Sequence, residues 1–273
     1  MSDTPAIRGE AVSAGALPMH ARPTPGLRFE VARTAEDVIE AWRLVYRSHL
    51  VSGYIHPNPA NVHFPPQAVG PNTAVILGRI DALIVSTMTV IADSACHGHP
   101  ARAEGIGATS EHSRDGRGTP ARGLPLDRVF GIELAKLRAS GARLVEFGLF
   151  ADRRKHVERT LDAVFQHMAY VLRFAEMHGA TDVVVGLHPD HAHFFTRGYG
   201  FELQGPTTPD PSLKHHPIML LRRPLTADLA VARRQFPALD YALTGDVPTD
   251  VFFHRFAFER GHIAGTELDQ RVL

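Results

Sequence analysis

One acidic residue of the chain stands in surroundings that favour chemistry. Glu146 lies in an otherwise apolar run, Leu144-Val145-Glu146-Phe147. Burial of a carboxyl group among apolar side chains raises its pKa toward the range in which it accepts protons near neutral pH. We therefore predict that Glu146 is a catalytic base or an electrostatic anchor for an ammonium group. The alternative is a glutamate on the polar side of a strand, paired with an arginine.

Two arginines and two tyrosines early in the chain form a second candidate group. Arg43 and Arg47 are four residues apart, so they share one face of a predicted helix. A guanidinium there would bind a substrate carboxylate through two parallel hydrogen bonds. Pairing with a surface acid such as Glu40 is the alternative. Tyr46 and Tyr54 either line a substrate pocket or pack in the core.

A basic cluster precedes and enters a long predicted helix. It consists of Arg153, Arg154, Lys155 and Arg159. Such a cluster attracts a phosphate and an acidic protein surface, with a strong dependence on salt. A solvated helix face is the alternative interpretation.

Histidine is abundant, with 17 residues in the chain. His188, His191 and His193 fall close enough together for a turn to gather three imidazoles. Only Asp190 adds an acidic partner, and we predict no metal site. His49, on the apolar face of the first predicted helix, is a further candidate for a general base.

The totals describe an ordinary globular protein. The chain has 273 residues, of which 44% are hydrophobic and 21% charged. Lys plus Arg and Asp plus Glu both total 29, so net charge gives no reason to expect a nucleic-acid partner. With one cysteine, Cys96, no intrachain disulfide is possible. Because no apolar run resembles a signal peptide or a membrane span, we expect a cytoplasmic protein.

The elements that must position these residues follow from hydrophobic periodicity. Thr34 and Asp37 predict a capping-box-like helix start, and the clearest period predicts the long helix, residues 157–175. Strands are predicted at residues 27–32, 73–77, 83–91, 143–150, 181–187 and 218–221. We expect a mobile tail at residues 1–26, a globular domain at 27–223 with a mobile insertion at 95–122, and a helical extension at 224–273.

Four ordered segments resemble the GNAT superfamily, and most closely its long-chain N-acyl amino acid synthases, which are relatives of the acyl-homoserine-lactone autoinducer synthases. The segments are residues 41–47 with 53–55, residues 123–127, residues 144–150, and residues 188–195 with 200–202. The resemblance covers about residues 27–223. It implies an α/β (α+β) fold with a mixed, mostly antiparallel sheet, splayed between strands four and five and flanked by helices.

The resemblance also implies an activity and a site. The activity is transfer of an acyl chain from a thioester carrier to the amine of an amino acid or a similar small molecule. The cosubstrate is an acyl-phosphopantetheine thioester, and no cofactor is bound permanently. Backbone N–H groups near Gly148 and Leu149 would polarise the thioester carbonyl, with Phe150 and Phe195 in the substrate pocket.

Two departures from the family pattern bear on the carrier and on the chemistry. Where coenzyme A-dependent members have a glycine-rich phosphate loop, residues 152–157 contain no glycine. We therefore favour acyl carrier protein. Phe195 stands where many members have a proton-donating tyrosine. The alternatives are a coenzyme A-dependent N-acetyltransferase with a divergent loop, a non-catalytic domain that binds a lipid or a partner, and a histidine-rich metal hydrolase.

Overall fold

The structure is a computed structural model, and it describes residues 24–94, 96, 123–154, 157–225, 234–244, 247–248 and 252. The strands are β1 (Leu27–Val31), β2 (Thr73–Ile80), β3 (Leu83–Ala92), β4 (Leu144–Asp152), β5 (Asp182–Leu187), β6 (Glu202–Leu203), β7 (Thr208–Asp210) and β8 (His216–Pro224). The helices are α1 (Ala35–Val51), α2 (Asp127–Ala139), α3 (Val157–Met177), α4 (Pro189–Tyr199) and α5 (Pro237–Thr244).

The strands form a single mixed sheet. Its order is β1-β2-β3-β4-β5-β8-β6, and β7 also pairs with β8. The β4–β5 pair is parallel, and the other strand pairs are antiparallel. The parallel pair is joined by α3, as a crossover connection requires. This arrangement confirms the predicted mixed, mostly antiparallel sheet.

Two apolar cores cover the two faces of the sheet. On one face, α3, α4 and α5 pack over residues such as Met88 and Phe147. On the other face, α1 and α2 bury Trp42 and Phe130. Because successive strand residues point to opposite faces, the two faces are chemically separate compartments.

Local sequence signals explain where the first elements begin and end. Thr34 accepts a hydrogen bond of 3.2 Å from the backbone N–H of Asp37, which confirms the predicted cap of α1. The β2–β3 hairpin is longer than predicted, because Gly78 lies inside β2 opposite Ser86 rather than in the turn. A Cβ on Gly78 would lie 2.2 Å from the Ser86 hydroxyl, so the missing side chain allows the two strands to stay paired.

Parts of the sequence predictions fall outside the described residues. These are the tail up to residue 23, the 95–122 segment except Cys96, and most of the chain after residue 244. Cys96 is buried, and desolvation raises the pKa of its thiol to about 11. Phe252 is buried against Tyr170 and Phe174. Within the described ranges, no helix combines the length and apolar character needed to cross a membrane.

Candidate active site

Strands β4 and β5 part in the middle of the sheet. Their pairing runs through Leu144–Asp182 and Val145–Val183 and ends at Glu146–Val184. Beyond Glu146, β4 continues to Asp152 alongside β3 alone. The parting opens a gap at the carboxyl ends of the two parallel strands, and Glu146 is the last residue of β4 before the gap.

A bulge on β4 lies directly after the parting point. Gly148 pairs with Thr89 and Ala151 pairs with Thr87, so Leu149 and Phe150 lie opposite Met88 alone. Gly148, one of the two residues predicted to polarise the thioester carbonyl, borders this bulge but does not take a left-handed conformation. Leu149 instead takes the left-handed conformation, with φ of 51°. That conformation costs a residue with a Cβ roughly 1–2 kcal/mol, and bulges re-aim backbone groups next to functional sites.

Glu146 is buried, with 7% of its surface exposed. Its Oε2 accepts a hydrogen bond of 3.0 Å from the backbone N–H of Leu126. Desolvation raises the pKa of the carboxyl to about 8, although the Leu126 bond opposes this rise. The charges of Asp127 and Asp210 raise that pKa further, whereas the charge of Arg128 lowers it. Glu146 therefore exchanges a proton readily just above neutral pH.

The turn that carries Leu126 is fixed by an ion-pair network. Asp127 accepts a 2.7 Å hydrogen bond from the backbone N–H of Leu124. Arg138 donates to both carboxylate oxygens of Asp127, at 2.5 and 2.8 Å, and also to Asp93. The segment 123–127 was recognised in the sequence. The ion pair between Asp127 and Arg138, 11 residues further along the chain, was not predicted.

Imidazole rings gather around Tyr54. The Tyr54 ring lies 4.8 Å from His216, 5.8 Å from His49 and 6.4 Å from His188, and His49 lies 5.0 Å from His63, measured between centroids. Burial lowers the pKa of His49 and of His63 to about 4, so both rings are neutral at physiological pH. Among the described residues, the buried Nδ1 of His49 has no hydrogen-bond partner.

Tyr46, predicted for the same pocket, is placed differently. Its side chain is 4% exposed, and its hydroxyl accepts a hydrogen bond of 3.2 Å from the backbone N–H of Asn58. This placement favours the core-packing interpretation over a substrate contact.

Arg43 and Arg47 lie on the exposed face of α1. Arg153, which was predicted to contact the carrier, lies beside them. Both arginines of α1 contact Glu40, at 4.0 and 3.0 Å, and Arg153 approaches the same carboxylate at 3.9 Å. The structure therefore groups the two predicted carboxylate binders with a predicted carrier contact. Three guanidinium groups share Glu40 as their counterion.

Arg154, also predicted to contact the carrier, is buried instead. Its guanidinium pairs with Asp152 at 2.5 Å, and the exposed fractions of the two side chains are 7% and 2%. This placement argues for a structural role at the corner between β4 and α3. Lys155 and the side chain of Arg159 lie outside the described residues.

The two phenylalanines predicted for the substrate pocket lie on the α3 and α4 face of the sheet. Phe150 is half-buried, with its ring 5.7 Å from His167. Phe195 is buried, and its ring lies 5.7 Å from those of Phe147 and Phe201. Glu146 is bound by Leu126 on the opposite face, so the carboxyl group and these aromatic rings approach the gap from different sides.

His188 has a local role at the start of α4. It accepts a hydrogen bond of 3.4 Å from the backbone N–H of Asp190, and its Nδ1 lies 3.3 Å from the Asp190 carboxylate. Its ring is 6.3 Å from that of His191. In the part of the chain that the structure describes, no group of three or more potential ligands is arranged to hold a metal ion.

The parted, mostly antiparallel sheet with its bulged fourth strand is the arrangement of the GNAT fold, and a solved structure shares it. The structure of FeeM, an N-acyl amino acid synthase from uncultured soil microbes, aligns with a TM-score of 0.59 and 18% identity, over 80% of this chain and 100% of that chain. The acyl-homoserine-lactone synthase LasI aligns with a TM-score of 0.49 and 12% identity, over 76% of this chain and 92% of that one.

Family membership follows from the sequence itself. A family model described as N-acyl amino acid synthase FeeM matches residues 40–104 and 106–224. The chain belongs to this family and is an N-acyltransferase. No curated protein matches the chain.

Proposed function

We propose that the protein transfers an acyl chain from acyl carrier protein to the amine of an amino acid. The observation that carries this proposal is the position of Glu146, a buried carboxyl group with a pKa of about 8 at the point where β4 and β5 part. A base is needed there because an amino acid presents its nitrogen as a non-nucleophilic ammonium at neutral pH.

In the proposed reaction, Glu146 removes one proton from the ammonium group. The freed nitrogen attacks the thioester carbonyl carbon, and a carbon–nitrogen bond forms while the carbonyl oxygen gains negative charge. Backbone N–H groups of the Leu149–Phe150 bulge stabilise that charge. The carbon–sulfur bond then breaks, and the thiolate leaves with the second proton of the amine. The products are an amide and a free thiol.

The choice of carrier protein over coenzyme A rests on the corner between β4 and α3. A phosphate loop needs backbone N–H groups turned toward the ligand, which glycine permits. Here the corner has no glycine, and the Asp152–Arg154 ion pair fills it. The positive charge lies instead on exposed side chains around Glu40, namely Arg43, Arg47 and Arg153. A surface of this kind suits an acidic protein carrying one phosphate.

The direct test is a competition between two donors with the same acyl chain. The purified protein is incubated with acyl carrier protein or coenzyme A thioester and a pool of amino acids, and products are identified by mass spectrometry. We expect N-acyl amino acids, formed faster from the carrier-protein donor. Faster turnover of the coenzyme A thioester would refute the choice of carrier, and the absence of amide products from both donors would refute the proposed reaction.

Reversing one charge tests whether the carrier protein docks on the surface formed by Arg43, Arg47 and Arg153. Arg153→Glu is expected to raise KM for the carrier-protein donor and to weaken its salt dependence. The matched control is Lys136→Glu, an exposed residue in the last turn of α2. An equal effect of the two substitutions would count against docking at the arginine surface.

A further inference from the structure

Arg128 is an arginine that the sequence did not single out, and the backbone holds it beside the candidate base. It lies in the first turn of α2, two residues after Leu126, whose N–H binds Glu146. The helix is kinked immediately afterwards, at Phe130, where φ is −119° and ψ is 34°. The short turn from Leu126 to Arg128 therefore keeps its own orientation, set by Glu146 and by the Asp127 network.

Among the described residues, the guanidinium of Arg128 donates hydrogen bonds to other side chains through one nitrogen, Nη2. Its Nη2 donates to Asp210 Oδ1 at 3.1 Å and to the Ser212 hydroxyl at 2.5 Å. The side chain is 50% exposed, whereas Asp210 is 9% exposed. A guanidinium carries five N–H donors in a fixed plane, so this arrangement leaves donors to offer to a ligand.

The charge of Arg128 acts on both the candidate base and the imidazole group. Its positive charge lowers the pKa of both Glu146 and His63. Asp210 acts on the same two groups in the opposite sense. The contacts agree with this: Asp210, which binds Arg128, pairs across β7 and β8 with His216, and the His216 ring lies 4.8 Å from Tyr54. Arg128 therefore links the turn that binds Glu146 to the ring cluster around Tyr54.

An amino-acid acceptor needs this combination of groups. Its ammonium and carboxylate groups are attached to one carbon atom, so a base that acts on the nitrogen must have a cation nearby for the carboxylate. Arg43 and Arg47 face Glu40 on the outer surface of α1. We propose that Arg128 binds the carboxylate of the acceptor, while Asp210 keeps the guanidinium in place. This inference rests on the proposed function.

The test compares an amino acid with its own carboxamide, using one acyl donor. The amide keeps the reactive amine and the side chain but lacks the negative charge. Charged hydrogen bonds are the stronger ones, so Arg128→Ala is expected to raise KM for the acid by about 10- to 100-fold. Because loss of the Arg128 charge raises the pKa of Glu146, the rates are compared at pH 9.5, where KM for the amide and kcat for both substrates should change little. Because a misfolded variant would lose both substrates, the amide reports on folding.

Arg128→Lys keeps the charge but loses the paired donors, and it should give an intermediate KM for the acid. The matched controls are Arg43→Ala and Arg47→Ala, which should leave the preference for acid over amide intact. If Arg128→Ala raises both KM values equally, or if an α1 variant abolishes the preference, the assignment of Arg128 is wrong. A wild-type protein that acylates the acid and the amide equally well would instead refute the amino-acid acceptor while leaving acyl transfer standing.

Discussion

The backbone N–H of Leu126 and the carboxyl group of Glu146 are joined by a 3.0 Å hydrogen bond. This bond ties the start of α2 to the last residue of β4 that still pairs with β5. It favours the ionised carboxylate, yet burial outweighs it and the pKa rises to about 8. The group is thus oriented by one fixed donor without being held permanently ionised.

The first prediction concerns the pH dependence of the rate. A general base works in its ionised form, so kcat should rise with pH up to about 8, the pKa of Glu146, and level off above it. Glu146→Gln should lower kcat by about 100-fold or more and remove this rise. Steady-state rates between pH 6 and 9.5 check both statements, with Glu176→Gln on the exposed part of α3 as the control. An unchanged pH profile in the Gln variant would exclude Glu146 as the base.

The second prediction concerns stability. The pKa of Glu146 is raised from 4.5 to about 8 on folding, so the folded protein retains a proton that the unfolded chain releases. Its contribution to stability is complete below pH 4.5 and declines as pH rises through 8, by about 1.4 kcal/mol for each pKa unit. Glu146→Gln should therefore gain stability over wild type in urea denaturation at pH 9 but not at pH 4.5. A difference that does not vary with pH would contradict this.

The third prediction concerns the buried Asp152–Arg154 pair. Arg154→Ala leaves the Asp152 carboxylate buried without its main partner, which typically costs about 3–5 kcal/mol of unfolding free energy. Arg153→Ala, one residue earlier and half-exposed, should cost less than about 1 kcal/mol. Chemical denaturation at neutral pH measures both. Equal losses would mean that the pair is not buried in solution.

The fourth prediction concerns the left-handed backbone at Leu149. A β-branched residue fits this conformation poorly, so Leu149→Val should disturb the bulge and lower kcat. Leu149→Gly relieves the backbone strain and should preserve activity better. Acyl-transfer rates of the two variants, with melting temperatures as a folding check, decide the matter. A more active Val variant would show that the left-handed conformation is not needed.

Sequence reasoning predicted those features of the candidate site that depend on local pattern. The burial of Glu146 was predicted from its apolar neighbours and is confirmed, and the mixed, mostly antiparallel sheet followed from the resemblance and the hydrophobic periods. The left-handed conformation of Leu149 was not predicted, because the position of the bulge is set by the pairing of β4 with β3. Helical spacing correctly placed Arg43 and Arg47 on one face of α1. Spacing alone does not show which residues or ligands that face contacts.

The role that we propose for Arg128 was not predicted from the sequence for a related reason. Arg128 directly follows the segment 123–127, yet the proposal depends on its contact with Asp210, a residue 82 positions away in the chain. The partners of the imidazole group around Tyr54 are similarly distant, since they come from α1, the loop after it, the end of β5 and the start of β8. Contacts of this kind depend on topology, which a single sequence specifies only indirectly.

Helix α5 has a practical consequence for work with shortened versions of the protein. The family match ends at residue 224, whereas α5 packs on α3 and α4. Gly200 is closely covered by the ring of Phe236, which also lies 5.3 Å from the Arg223 guanidinium. Trimming the chain to the matched segment would uncover apolar helix faces and invite aggregation. The smallest unit worth expressing therefore extends at least through residue 244.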